Sequence, residues 1–263
     1  MSAPRAISES GSYSSQVLAS IGLSGMQLVR RPTAPHRAEA RRRLRAQSLW
    51  LIGVGAVLIV ALMFGFDGTE ISLMPPRGAP SAWPARFITD FGKDSYVLTT
   101  LGVGLIVMVL TFPFLRGAPR VRLLRFAGHV EYLFLAVALP VAFSEITKNV
   151  VGRGRPFVGG KADPFNFQPF HGAEPYFSFP SAHSVTAFAL ASGVAAIWPK
   201  ARIPIFIYAL AIAASRLVIL AHHPSDVVGG MVVGLVGALA VRYWFAARGL
   251  GFVIEADGKI VAR

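Results

Sequence analysis

Long uncharged apolar runs, rather than apolar positions recurring at helix or strand spacing, set the pattern of this chain. Ala46–Phe66 and Ser95–Leu115 contain no charged residue, and each is long enough to cross a hydrocarbon core of ~30 Å as a helix. Phe126–Thr147 is a third run, with Glu131 near one end and Glu145 near the other. Ser181–Trp198, Ile203–Ala221 and Val227–Phe245 make a fourth, fifth and sixth. The pattern predicts an all-α, polytopic bundle of six transmembrane helices.

Composition agrees with that class. The chain of 263 residues is 54% hydrophobic and only 15% charged, with a mean hydropathy of +0.55. It has no cysteine, which removes disulfides and thiolate metal sites and leaves the redox compartment unread. The net charge of +13 would suggest nucleic acid in a soluble protein. Much of it instead lies in the first 47 residues, where eight arginines face Glu9 and Glu39. An anionic membrane leaflet accounts for that placement, so the expected partners are membrane lipids and not nucleic acid.

The expected organisation is a basic, largely disordered tail over 1–47, a six-span domain over 48–247 and a short tail over 248–263. Gln16–Val29 is a weak candidate for an interfacial helix, because it carries polar residues and two glycines. A basic tail of this length before the first apolar run is not the pattern of a signal peptide. Basic residues of the N-terminal tail, of the links at Arg116–Arg125 and Lys200–Arg202, and of the C-terminal tail alternate onto one side. The positive-inside rule makes that side cytoplasmic. Both termini are then inside, and the segments around 67–94, 148–180 and 222–226 face outward. Gly230-Met231-Val232-Val233-Gly234 is a GxxxG match that serves close packing within the bundle or, alternatively, dimerisation; the oligomeric state stays open.

Three stretches carry candidate chemistry. Ser215-Arg216 sits in an apolar run that breaks at His222-His223-Pro224-Ser225-Asp226. A guanidinium at membrane depth costs at least ~2.5–3.5 kcal/mol, and a phosphate is its natural bidentate partner. The plainer alternative is a helix-end arginine followed by interfacial histidines. Lys148, Arg153 and Arg155 cluster in an outer loop, where basic residues are disfavoured; a snorkelling lysine and a Gly-rich exit are the alternative. Pro180-Ser181-Ala182-His183 enters the fourth span, as ordinary capping or as a helix N-terminus open to an anion. The topology puts all three stretches on the outer face.

Together these stretches resemble the signature of the type-2 phosphatidic acid phosphatase family, which includes the vanadium haloperoxidases. Its pattern is Lys-x6-Arg-Pro, Pro-Ser-Gly-His and Ser-Arg-x5-His-x3-Asp. Here it reads Lys148…Arg155-Pro156, Pro180-Ser181-Ala182-His183 and Ser215-Arg216…His222…Asp226, with Ala182 where the family usually has glycine. Ala182 suits a helical first turn and would be strained only at positive φ. The resemblance spans roughly 95–247.

The resemblance implies that Lys148, Arg155 and Arg216 clamp the phosphate, with Ser181 and the amides of Ala182 and His183 beside them. It makes His222 the nucleophile that forms a phosphohistidine, Asp226 the group that holds its tautomer, and His183 the general acid. Arg153, Glu145 and His223 are possible supporting residues, His223 as wall or substrate contact. Three fixed cations at the phosphate oxygens do the work of a metal ion, so neither metal nor other cofactor is expected.

The implied activity is an integral-membrane hydrolase of a lipid phosphate or diphosphate, located in a bacterial inner membrane with its site facing outward. A membrane protein that binds or transports an anion or lipid phosphate without hydrolysis is the alternative, and it needs no His222–Asp226 spacing. Undecaprenyl diphosphate, phosphatidic acid, phosphatidylglycerol phosphate and lipid A phosphate all remain open as substrates. The aromatic outer loop, with Phe157, Phe165, Phe167 and Phe170, either meets the lipid surface or packs over the bundle.

Overall fold

A computed structural model describes residues 11–160, 162–255 and 259–262. The first ten residues, including Glu9, and Lys161 lie outside the described residues.

The protein is a multi-pass membrane helix bundle. Among the described residues, five stretches are long and apolar enough to cross a membrane: Ala34–Gly65, Pro80–Phe114, Gly117–Val151, Pro199–Val218 and Pro224–Arg248. They contain helices α2 (Ala34–Gly65), α5 (Asp94–Thr111), α6 (Gly117–Val151), α8 (Arg202–Val218) and α9 (Pro224–Arg248). The fourth predicted span is α7 (Ala182–Ile197), whose 16 residues fall short of the ~20 that a full crossing takes. It sits among α5, α6, α8 and α9 and is mostly buried, so protein rather than lipid surrounds it.

The sequence pattern explains this arrangement. Helix α7 is rich in alanine and carries Gly193, and α9 brings Gly230 and Gly234 against it. A β-carbon on Gly230 would lie 2.5 Å from the Ser181 carbonyl, and one on Gly234 would lie 2.5 Å from the Val185 carbonyl. The GxxxG motif is therefore spent on backbone contact inside one chain. Tyr132, Leu133, Ala136 and Val137 of α6, Val185 and Ala189 of α7, and Val241 and Phe245 of α9 close the core. Helices α2 and α5 stand outside it with Trp50, Val57, Phe64, Ile106 and Val107 exposed, as suits a lipid-facing surface.

Two terminal segments differ from expectation. The stretch expected to be largely disordered is helical over α1 (Tyr13–Val29), which contains the candidate helix Gln16–Val29, and α2 begins at Ala34, twelve residues before the apolar run. Ser12 caps α1 by accepting from the Ser15 amide. Within α2, Glu39 pairs with Arg42 and Arg43 at 2.8 and 2.5 Å. Arginine and alanine are strong helix formers, and such pairs add a few tenths of a kcal/mol; low apolar content concealed this. Helix α1 docks by tertiary contacts: Tyr13 donates to the Leu110 carbonyl at 3.0 Å and Arg120 donates to Gln16 at 3.1 Å. At the other end, β1 (Phe252–Ile254) and β2 (Ile260–Ala262) pair antiparallel, with Phe252 opposite Ala262. Phe252 is buried against the Tyr132 ring, which ties this hairpin to the bundle.

Between α2 and α5 lie two short helices, α3 (Asp67–Leu73) and α4 (Trp83–Asp90). Asp67, Glu70 and Ile71 of α3 are buried, and α4 lies along α8. This segment, read from sequence only as an outer link, roofs the site described next.

Candidate active site

Three chain reversals assemble the site. Helix α6 places Lys148 in its last turn and ends at Gly152 in the left-handed conformation, φ 58°. A β-carbon there would lie 1.9 Å from the Gln168 carbonyl oxygen, so only glycine lets the following loop fold back. The returning chain is pinned by the Gly154 amide to the Asn166 carbonyl at 2.8 Å, Arg155 to Pro175 at 2.9 Å, and Ser178 to Arg153 at 3.0 Å.

The second reversal delivers the N-terminus of α7. The Ser181 amide donates to the Asp226 carbonyl at 3.1 Å, which locks the starts of α7 and α9 side by side. The first intrahelical bond runs from the Val185 amide to the Ser181 carbonyl at 3.0 Å. The amides of Ala182, His183 and Ser184 precede it and point out of the helix end, the arrangement that suits an anion. Ala182 does not have positive φ, so its side chain is accommodated without strain.

The third reversal ends α8. The Ala221 amide donates to the Arg216 carbonyl at 3.0 Å, and Leu220 takes the left-handed position, φ 51°. That position usually falls to glycine; here burial of the Leu220 side chain holds it. The turn brings Arg216 and His222 to the same end of the bundle.

Cations surround the space between these reversals. Lys148 pairs with Glu145 at 2.5 Å, Arg155 with Glu174 at 2.7 Å, and Arg216 donates to the Thr89 hydroxyl at 2.7 Å. Glu174 is largely exposed, so its hold on Arg155 is solvent-screened. Burial pushes the Arg155 guanidinium below its ordinary value. Arg155 Nε, Arg216 Nε and His183 Nε2 are buried without a hydrogen-bond partner among the described residues. Buried polar nitrogens are seldom left so, and these three belong to residues whose charges act on one another. Lys93, paired to Asp90 at 2.8 Å, adds its field at His183, and a β-carbon on Gly92 would lie 3.4 Å from the His183 ring.

His222 has a different partner from the one the motif implies. Its Nδ1 lies 2.8 Å from the Ser178 backbone carbonyl and 3.9 Å from the Asp226 carboxylate. A carbonyl can only accept, so Nδ1 carries the proton and Nε2 is left with the free lone pair. Burial first, then the positive fields of Arg216 and Arg155, hold the imidazole well below its usual pKa. It is neutral at physiological pH.

Asp226 is used one step further back. It accepts from the Ser178 hydroxyl at 2.6 Å and the His223 amide at 2.8 Å, and it pairs with Arg153 at 2.6 Å. It thereby fixes the segment whose carbonyl holds His222, and it caps α9. Arg153, almost wholly buried, also pairs with Asp67 at 2.8 Å, donates to the Ser225 hydroxyl at 2.6 Å and donates to the Pro164 carbonyl. Asp67 accepts in turn from the Ser225 amide at 3.0 Å and from its hydroxyl.

The structure thus gathers Lys148, Arg155, Ser181, Ala182, His183, Arg216, His222 and Asp226 at one end of the bundle. Arg153 is a buried strut rather than a wall of the pocket. Glu145 stands as the partner of Lys148. His223 is wholly buried below the turn, a position that fits a wall and not a substrate contact. Sequence reasoning missed Asp67, Thr89, Lys93, Ser178 and Glu174. Asp67, a carboxylate directly after an uncharged span, was the one with a visible signal; the others act through backbone or reach the site only by folding of loops.

Residues 130–250 match the family model described as the PAP2 superfamily. A lipid A 1-phosphatase of Rhizobium johnstonii is 28% identical over 230 residues, covering 84% of this chain and 89% of that protein. A lipid A 1-phosphatase of Rhizobium etli is 28% identical over 236 residues, covering 84% and 94%. No solved structure matches the chain. The matched region holds all three motif stretches at their expected spacing, and over it the chain is similar to the PAP2 superfamily.

Proposed function

We propose that the protein is a membrane phosphatase that removes a phosphate monoester from a lipid through a phosphohistidine, with a lipid A-type 1-phosphate as its leading substrate. The observation that carries the chemistry is the bond from His222 Nδ1 to the Ser178 carbonyl, which leaves a neutral imidazole with Nε2 free. The Nε2 lone pair attacks phosphorus as the bond from phosphorus to the lipid oxygen breaks. His183 gives that oxygen its proton, and the lipid alcohol leaves. Water then attacks the phosphohistidine, His183 takes the water's proton, the P–N bond breaks and inorganic phosphate departs. Lys148, Arg155, Arg216 and the first amides of α7 neutralise the non-bridging oxygens throughout, so the reading invokes no metal ion.

The substrate reading rests on the two relatives, whose similarity covers 84% of this chain and so includes segments outside the motifs. The exposed rings of Phe157, Phe165, Phe167 and Phe170 on the loop over the site suit a surface that meets lipid. By charge alternation the site faces outward from the inner membrane, with both termini cytoplasmic. A site that binds an anion without hydrolysing it is less favoured, because it needs no neutral, backbone-oriented imidazole.

Phosphate release by the purified chain should be measured over lipid A, phosphatidic acid, phosphatidylglycerol phosphate and undecaprenyl diphosphate. Release from lipid A is expected to exceed the others, insensitive to EDTA and inhibited by vanadate. Preference for another lipid corrects the substrate alone. Binding without release from any lipid phosphate, or loss on EDTA with rescue by Mg²⁺, overturns the chemistry.

A further inference from the structure

The far end of the bundle carries a second feature unconnected with phosphoryl transfer. A groove of about 700 Å³ opens between α1, α2, α6 and α9, lined by Val29, Ile52, Leu139, Phe143, Val236 and Trp244 among other apolar residues, Ala240 included. It runs away from the site, because Lys148 and Pro224 mark the site ends of α6 and α9 while Trp244 lies near the opposite end of α9. The Trp244 indole donates to the Leu28 carbonyl at 3.1 Å, so α1 closes this end of the groove.

Two arginines stand at that end. Arg30 directly follows Val29, and its guanidinium donates to the Arg248 carbonyl. Arg248 is one turn beyond Trp244, with its guanidinium 3.5 Å from the indole centroid. The two positive charges act on one another, and neither is in an ion pair among the described residues. Capping the carboxyl end of α9 accounts for one carbonyl contact from each. Among the described residues it leaves most of their ten N–H donors and both charges unmatched. A purely apolar channel that ends in two such guanidiniums, one of them flattened on a tryptophan at helix-end depth, is complementary to one kind of molecule.

We propose that this groove is a binding site for an anionic glycerophospholipid of the leaflet opposite the active site. One acyl chain lies along α6 and α9, and the phosphodiester sits between Arg30 and Arg248. Such a lipid fastens α1 to the bundle, since its headgroup contacts α1 and α9 at once. The inference is independent of the activity proposed above.

The test is lipid binding to the full-length protein, read by native mass spectrometry and by the shift in unfolding temperature. Phosphatidylglycerol is compared with phosphatidylcholine of the same chains, with inorganic phosphate as a control. One phosphatidylglycerol is expected to be retained preferentially and to raise the unfolding temperature, whereas inorganic phosphate does neither. An Arg30→Gln/Arg248→Gln double variant should weaken phosphatidylglycerol binding by roughly thirtyfold, from about 1 kcal/mol per basic residue at an anionic lipid surface. Ala240→Phe, which fills the groove, should displace both lipids from this site. Equal retention of the two lipids by the wild-type protein overturns the proposal without any variant. So does an unchanged preference in the double variant, or protection by inorganic phosphate alone.

Discussion

Arg153 Nη2 lies 2.8 Å from Asp67 Oδ2, joining residues 86 positions apart in a contact from which water is excluded. Asp67 ends the first apolar span, and Arg153 opens the loop that carries Arg155. Through Arg153 the same contact reaches Asp226, and through Ser225 it reaches the start of α9. Two carboxylates and one guanidinium thus bind together segments that lie far apart in the sequence. An unpartnered charge in such a place costs several kcal/mol, so the members hold one another to a single arrangement.

Asp67→Asn removes one carboxylate and keeps the shape. Truncating one member of a buried pair typically costs ~3–5 kcal/mol. The substituted amide retains an acceptor oxygen and Arg153 retains Asp226, so the lower part of that range is expected. Thermal unfolding in detergent should show it as a lowered midpoint, with kcat reduced and KM for a lipid phosphate little changed. An unaltered midpoint would remove Asp67 from the support of the site.

Asp226 and Ser178 divide a role that the motif alone assigns to the aspartate. With the Ser178 carbonyl at 2.8 Å from His222 Nδ1, the tautomer is held without the carboxylate. Asp226→Asn should therefore still form a phosphoenzyme, more slowly and in a less stable protein. Ser178→Ala keeps the carbonyl but frees its tether; losing a buried hydrogen bond to a carboxylate costs ~1–3 kcal/mol, so phosphorylation should slow by about tenfold. A folded Asp226→Asn protein as devoid of phosphoenzyme as His222→Ala would show that the carboxylate acts directly.

The helices and the motif residues were legible because each rests on local information. Apolar runs mark spans, and fixed spacing places His222 and Asp226 on one turn of chain. The departures have physical causes. Helix α1, anticipated only as the candidate stretch Gln16–Val29, is held by contacts with α5, α6 and α9 that no local pattern specifies. The partner of His222 is a backbone carbonyl, and backbone groups carry no signature in sequence. Asp67, Thr89 and Gly92 reach the site because α3 and α4 fold over it, and a segment with four acidic and three basic residues reads as a solvated link. Whether alanine fits at position 182 was resolvable only from its backbone angles.

Glu70 gives the stability of the fold a pH dependence. It is almost wholly buried beside Asp67, both its carboxyl oxygens lack partners among the described residues, and its pKa is raised to about 7 by burial first and then by the fields of Asp67 and Asp226. Below pH ~4.5 the group is protonated whether folded or unfolded. As pH rises from there to 7 the folded state holds a proton that the unfolded state has lost, so stability falls along this limb. His222 and His223, both held below the ordinary imidazole value, act oppositely: below pH ~6.5 the unfolded state takes up their protons first, and stability falls toward acid. Glu70→Gln removes only the first effect. Its unfolding midpoint should match wild type near pH 5 and exceed it at pH 8, by up to about 3 kcal/mol for a shift of this size. Equal midpoints at pH 8 would mean that Glu70 finds a partner in solution.

The two histidines should part company when the leaving group is varied. His222→Ala removes the attacking nitrogen, so no substrate should give an acid-labile phosphoenzyme, whatever its leaving group. His183→Ala removes the proton donor, and the penalty then depends on how much protonation the departing oxygen needs. An alkyl phosphate expels an alkoxide and should lose the ~10²–10⁴-fold that general-acid help supplies. An aryl phosphate with an electron-withdrawing ring, or a diphosphate, expels a stable anion and should lose far less. His183 also lies among Arg216, Lys148, Arg155 and Lys93, so its removal changes the surroundings of the bound phosphate as well. That second role predicts a uniform change in KM, whereas the acid role predicts a change in kcat graded by leaving-group pKa. Incorporation of labelled phosphate after an alkaline quench, which preserves a phosphohistidine, measured beside steady-state release for the two variants, separates these contributions. Losses in kcat of equal size for alkyl and aryl phosphates would leave His183 only its part in binding.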